Sequence, residues 1–483
     1  MKLIQIFLKN SIFWIFLLCG LILFFYPAIF INHELMPGDL GDARFVNYIL
    51  EHGWLWLNQV ELHKSFWDMP MFYQYQNTLA FSDVLLGGMI IYAPIRMLVN
   101  NPQTALQVWC VILCILNYLS MYMFMKKVFN FSNLQSSSAA FLFAFGLPRH
   151  FQMGHLQLYL QFFMIFSLTA FCSVKKENSK IKNNFLFFIG VMLFVLQVYT
   201  SFYLGWFMVF AAFVAGLIFF YSPVLRVKLY DFLKFYYKEI LIYGAASIIL
   251  LIPLALHYMS VGAEFNWRPE FLFKFSSFLM SDSAMDRLIW QNPFKCSLEA
   301  HTGIGYITTI LVILGIFNCK KYRKFIFLFL GIVVLFFWNS DLNYLLYQII
   351  PGASAIRAGG RCIFLLLIIF SFGLANFLKN VKRNYLVGIF VVLFLLEQIP
   401  YKSGLSWTKS EHQKRLANYP MLKLCNVVYF DVLTSNKANY NVDIIWKATE
   451  ENVYTVNGYS GYEPPIQKDI VKDECKFVIE KEF

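Results

Sequence analysis

Two carboxylates three residues apart, Asp39 and Asp42, stand in the run Gly38-Asp39-Leu40-Gly41-Asp42, whose glycines free the backbone to turn. A carboxylate at an aqueous boundary can take the proton from an attacking hydroxyl, which makes the pair a candidate general base. A structural alternative stands beside it: Asp42 is placed to cap the helix that follows, worth about 1 kcal/mol, with Asp39 merely solvated. Glu34 and Asp68 lie in the same segment as weaker candidates for substrate contact. A second group is the Gly-rich stretch Pro351 to Arg361, where Arg357 and Arg361 precede a long apolar run. Paired guanidinium groups at a helix N-terminus suit a phosphate; the competing reading makes them interfacial anchors. Arg149, His150 and His155 form a third group, able to contact a phosphate or a sugar hydroxyl. As metal ligands two histidines are thin evidence. Asp39, Asp42 and a His can in principle hold a divalent ion, but no metal site is assigned. The polar break Tyr199 to Tyr203 reads as a hairpin turn, with lining of a sugar site as the alternative.

These residues must be held by a scaffold that lives in lipid. The 483 residues are 59% hydrophobic and only 14% charged, whereas an ordinary soluble domain is about a quarter charged. Runs such as Ile12 to Ile31 and Phe325 to Trp338 are almost free of ionisable groups and have the length to cross hydrocarbon. The net charge of +12 does not point to nucleic acid, because the basic residues sit in short segments between apolar runs. Those clusters are Lys126 and Lys127; Lys175, Lys176, Lys180 and Lys182; Arg226 to Lys238; Lys320 to Lys324; and Lys379 to Arg383.

Placing every cluster on the cytoplasmic side, with Lys2 and Lys9, gives about eleven spans, N-terminus inside and C-terminus outside. They fall near 10 to 31, 104 to 125, 134 to 148, 156 to 173, 184 to 199, 203 to 221, 239 to 258, 303 to 318, 325 to 339, 361 to 378 and 385 to 400. The first is too long, and lacks the cleavage site, for a signal peptide. Residues 1–400 then form an all-α polytopic membrane domain. Within it, 32–103 is a first extracytoplasmic loop carrying interfacial helices over Ala43 to Leu57 and Leu85 to Leu98. Residues 401–483 form a small extracytoplasmic piece, α+β or β, with strand-like stretches at Asn426 to Val432 and Asn452 to Val456. Cys425 and Cys475 lie in that oxidising compartment and are expected to pair, two free thiols being the alternative.

The chain carries no Walker loop, no dinucleotide glycine fingerprint, no His-Glu-x-x-His and no zinc-spaced cysteine pairs. The span interiors are also poor in ionisable groups, which disfavours an ion-coupled transporter.

A multispan chain with a long first outer loop, an acidic pair just after span one and interfacial helices in that loop resembles the GT-C superfamily of membrane glycosyltransferases. The stretches Leu142 to Tyr159 (LFAFGLPRHFQMGHLQLY) and Pro351 to Arg361 are similar to segments of bacterial proteins of that type. The resemblance implies a polyprenyl-phosphate sugar as donor and an outer-loop carboxylate as base, Asp42 or Asp39. Arg357, Arg361, Arg149 and His155 are then expected at the donor phosphate, and Glu34, Asp68 and His150 near substrate. It also implies a glycan, lipid or protein acceptor, no nucleic-acid partner and a bacterial inner membrane. The alternatives are a flippase or transporter of lipid-linked saccharides, and a non-catalytic envelope-assembly protein.

Overall fold

The computed structural model describes residues 11–262, 272–289, 301–338, 341–462, 464–466 and 468–480. It is an all-α membrane protein with a small C-terminal β-sheet. Helices occupy all of the expected spans, but six are long and apolar enough to cross a membrane among the described residues. These are Ser11–Ala28, Pro102–Phe129, Lys180–Thr200, Phe202–Tyr221, Pro223–Val261 and Gly359–Asn380. Others, such as Tyr306–Asn318 with 13 residues, rise only about 20 Å at 1.5 Å per residue, short of the roughly 30 Å hydrocarbon layer.

A central bundle is built from α1 (Ser11–Phe30), α4 (Pro102–Phe129), α5 (Asn133–Phe145), α7 (Phe162–Cys172), α13 (Tyr306–Asn318) and α16 (Ile363–Asn380). Small residues decide who sits at its centre. In α5 the run Ser136 to Ala140 is wholly buried, because short side chains let neighbouring backbones approach. The tightest approach joins α13 to α16: a Cβ on Gly315 would lie 1.8 Å from the Gly373 carbonyl oxygen. Around the bundle wrap α8 (Lys180–Thr200), α9 (Phe202–Tyr221) and α10 (Pro223–Gly262), the last broken by non-helical geometry at Tyr236. Basic residues gather at one end of these helices, Lys180 and Lys182 opening α8 and Lys379 closing α16. Thr200 and Arg361 stand at the opposite ends of the same two segments.

That opposite end carries the loop after α1. It begins with β1 (Leu35–Pro37) and α2 (Asp42–Leu57) and ends with α3 (Leu86–Leu98). Every residue from Ala43 to Gly53 is buried, because the polar face of α2 is covered by partners, not water. Arg44 meets Asp443 at 2.6 Å, and Glu51 receives both Nε and Nη2 of Arg96 at 2.8 Å. His52 pairs with His63 across 2.8 Å, and burial lowers both imidazoles, to about 4 and about 3.

The C-terminal segment is stitched onto this loop. β2 (Leu405–Thr408) pairs antiparallel with β1, and α18 (Lys409–Ala417) brings Arg415 to Asp443, at 2.6 Å. Beyond it, β3 (Val427–Val432) pairs parallel with β4 (Tyr454–Thr455) and β5 (Lys476–Ile479), against α19 (Lys437–Glu450). A Cys425–Cys475 disulfide closes this small second core.

Candidate active site

Gly38 adopts φ +76°, and a Cβ there would lie 2.5 Å from both the Met153 carbonyl oxygen and the Ala43 Cβ. Only glycine makes this turn without strain, and the turn aims the next carboxylate back at the start of α2. Asp39 Oδ1 accepts from the backbone N–H of Gly41 (3.1 Å) and Ala43 (3.2 Å). Asp39 therefore caps the helix, and the capping role foreseen for Asp42 does not hold.

Asp42, relieved of that duty, faces sideways. Its Oδ1 accepts the Tyr459 hydroxyl, and its Oδ2 lies 3.0 Å from His155 Nδ1. Arg361 Nη2 stands 2.9 Å from His155 Nε2. A guanidinium only donates, so Nε2 accepts and the ring proton sits on Nδ1, directed at Asp42. The order is thus Arg361 to His155 to Asp42, with Tyr459 donating from the other side.

Burial pushes the Asp42 carboxyl up. The His155 hydrogen bond, the Tyr459 hydroxyl and the Arg361 charge oppose it and hold the group below its ordinary value. Asp39 goes the other way, raised by burial and by the neighbouring charge of Asp42. The Tyr459 phenol is raised strongly by burial and then by Asp42. Asp42 keeps 35% of its side chain exposed and His155 14%, and that exposure faces a cavity.

The cavity measures about 730 Å³, within the roughly 300–1,000 Å³ usual for ligand sites. Its polar lining includes Asp42, Asp83, His155, Arg357, Arg361 and Tyr459, and its apolar lining includes Val198, Phe202, Leu251, Leu254, Ala255 and Met259. The hairpin Tyr199 to Tyr203 shapes the polar lining. The Tyr203 hydroxyl accepts from the backbone N–H of Arg357 (3.0 Å) and Ala358 (3.3 Å), and the Arg361 guanidinium lies 5.1 Å from its ring centre. A second, smaller cavity of about 450 Å³ is lined by Asp39, Gly41, Ser406 and Asn439. Asp42 and Tyr459 line both.

The other sequence candidates stand elsewhere. Arg149 is fully buried; it donates to the carbonyls of Phe143 (2.9 Å) and Leu158 (3.0 Å) and to Gln161 Oε1 (2.6 Å). That is a structural lock, so the phosphate contact expected of Arg149 is not available to it. His150 is buried against Phe24, ring centres 3.9 Å apart. Glu34 accepts from the backbone and hydroxyl of Ser410 (3.0 and 2.6 Å), joining the first loop to α18. Asp68 accepts from Ser65 Oγ and Asn77 N, shaping its own loop. None of these four lines either cavity. Among the described residues no three His, Cys, Asp or Glu side chains gather in a way that suits a metal ion, so no chemistry is routed through one.

Two residues of the polar lining were not singled out from sequence. Tyr459 lies 417 positions from its partner Asp42, with nothing local to mark it. Asp83 had a faint signal, being the one charged side chain between Asp68 and Arg96. Its Oδ1 accepts from the Phe202 backbone N–H at 2.6 Å, and burial pushes its carboxyl up to about 6 against the lowering effects of that bond and of the Arg361 charge.

No family model and no curated protein matches the chain by sequence. Its fold is similar to the crystal structure of the Archaeoglobus fulgidus oligosaccharyltransferase tethered to an acceptor peptide containing the NVT sequon. The TM-score is 0.52 at 11% identity, over 95% of this chain and 65% of that one. The same archaeal protein in complex with Zn and sulfate gives 0.51 at 12% identity, over 93% and 62%. The chain thus spans less than two thirds of the length of these structures.

Proposed function

We propose that the chain is a membrane glycosyltransferase of the GT-C type that moves a sugar from a polyprenyl-phosphate donor to a glycan, lipid or protein acceptor. One observation carries this reading: Asp42 stands on the wall shared by two cavities. One cavity joins two arginines to an apolar channel, which suits a lipid phosphate; the other suits an incoming polar acceptor. The likeness to an oligosaccharyltransferase fold supports the same class.

The prenyl tail lies along the apolar wall formed by α8, α9 and α10, and the phosphate meets Arg357 and Arg361. The acceptor hydroxyl approaches from the Asn439 side and attacks the anomeric carbon. As the new C–O bond forms and the bond to phosphate oxygen breaks, the hydroxyl grows acidic and gives its proton to Asp42. A carboxylate held below its ordinary value is a weak base, but it is always ionised, and transfer late in the step asks no more of it. The departing prenyl phosphate is stabilised by arginine in a partly desolvated site, so no separate acid is needed. Attack from the face opposite the phosphate inverts the centre.

The fuller topology belongs to the same proposal: about eleven spans, basic clusters on the cytoplasmic side, and the cavity facing outward from a bacterial inner membrane. Purified protein incubated with a panel of polyprenyl-phosphate sugars and membrane extract should transfer mass to an acceptor. Absence of transfer from every donor, or full activity in both Asp42→Asn and Asp39→Asn, defeats the reading.

A further inference from the structure

We infer that Asp83 reads the sugar of the lipid-linked donor, through hydrogen bonds from the sugar's hydroxyl groups to its carboxylate. The inference rests on the transferase reading for the identity of the ligand, and on the cavity's lining for the residue.

Three chemistries share that cavity. Its apolar wall accepts a hydrocarbon tail, and Arg357 and Arg361 accept an anion. Asp83 fits neither, since a carboxylate repels phosphate and is costly beside hydrocarbon. It is held in place firmly. Phe202 N–H fixes Oδ1 at the start of α9, and the Tyr258 hydroxyl donates to the neighbouring Ser82 carbonyl (3.0 Å), tying the segment to α10. No lysine or arginine forms an ion pair with it among the described residues.

Asp83 is half-buried on the cavity wall, and its carboxylate has acceptor capacity beyond the Phe202 N–H that donors entering the cavity can meet. An ionised carboxylate accepts only, so the ligand group it selects is one rich in O–H or N–H. Of the parts of a prenyl-phosphate sugar, only the sugar has them. A site built to bond a hydroxyl discriminates strongly against a ligand lacking it, because its own polar atom is then left unpaired.

Asp83 also caps α9, so the test must separate the two roles. Asp83→Asn keeps an oxygen for the Phe202 N–H and removes the charge. Binding to full-length protein in nanodiscs is measured for a short-chain polyprenyl phosphate and for its glucosyl, galactosyl and mannosyl esters. Wild type should bind at least one sugar ester about 10- to 100-fold more tightly than the bare lipid phosphate. Asp83→Asn should abolish that margin without weakening binding of the bare lipid phosphate. A margin that survives in Asp83→Asn, equal loss for bare and glycosylated lipids, or no margin in wild type would each overturn the inference. Because binding needs no turnover, a margin present without sugar transfer condemns the transferase reading alone.

Discussion

Two arginine–histidine pairs in this protein use the same side chains for opposite ends. Arg149, with His150 next to it, is sealed inside the bundle, every direction of its guanidinium closed by a carbonyl, an amide oxygen or a ring. Arg361, with His155, stands at a cavity wall, its charge passed through the imidazole to a carboxylate that keeps contact with open space. The difference lies in what completes the hydrogen bonds. Where carbonyls and an amide oxygen enclose the guanidinium, an arginine stabilises structure; where it lines a cavity, the same group can meet a ligand.

The largest effect should come from the open pair's carboxylate. Asp42→Asn should lower sugar transfer by about 10²- to 10⁴-fold while the thermal unfolding temperature in detergent stays near that of wild type. Transfer within a factor of two of wild type would put the base elsewhere.

The sealed pair should behave in reverse. Arg149→Ala orphans the Phe143 and Leu158 carbonyls and Gln161 Oε1, each at a cost of about 1–3 kcal/mol, so yield and melting temperature should collapse. Whatever folded protein is recovered should bind polyprenyl phosphate normally. A well-folded Arg149→Ala with weakened lipid binding would erase the contrast.

Within the open pair the two arginines should separate in a steady-state assay. Arg357→Ala should raise the donor KM about tenfold with kcat little changed. Arg361→Ala should raise KM and also lower kcat, because His155 loses the donor that fixes its tautomer. Identical profiles would mean the imidazole is oriented by something else.

The smallest effect concerns Asp83. Its carboxyl is raised to about 6 in the fold, so the native state binds the extra proton between its unfolded value, about 4, and about 6. Stability should fall as pH rises through that window and then level off. Melts of Asp83→Asn should accordingly show a gain over wild type above pH 6 that vanishes towards pH 4. A gain independent of pH would assign the residue's effect to packing.

The contrast also explains what the sequence could and could not tell. The helices, the acidic pair and the arginine stretch were readable because apolar period, charge and glycine content are local properties. Which aspartate caps and which faces the cavity was not, since it turns on one positive-φ glycine and on a partner 417 residues away. The covering of α2 was missed for a related reason. Arg44, Glu51 and His52 find their partners in Asp443, Arg96 and His63, which no local pattern links to them. Arg149 and Arg361 look alike as letters, and only the partners and the cavity around each tell them apart.

The bond between Tyr459 and Asp42 has a consequence for timing. A ribosome makes Asp42 early and must add 417 residues before the phenol that touches it exists. The reactive carboxylate therefore reaches the membrane long before its surroundings are complete. Completion of this site is thus coupled to synthesis of the segment that carries Tyr459 and to its delivery to the same side as the first loop.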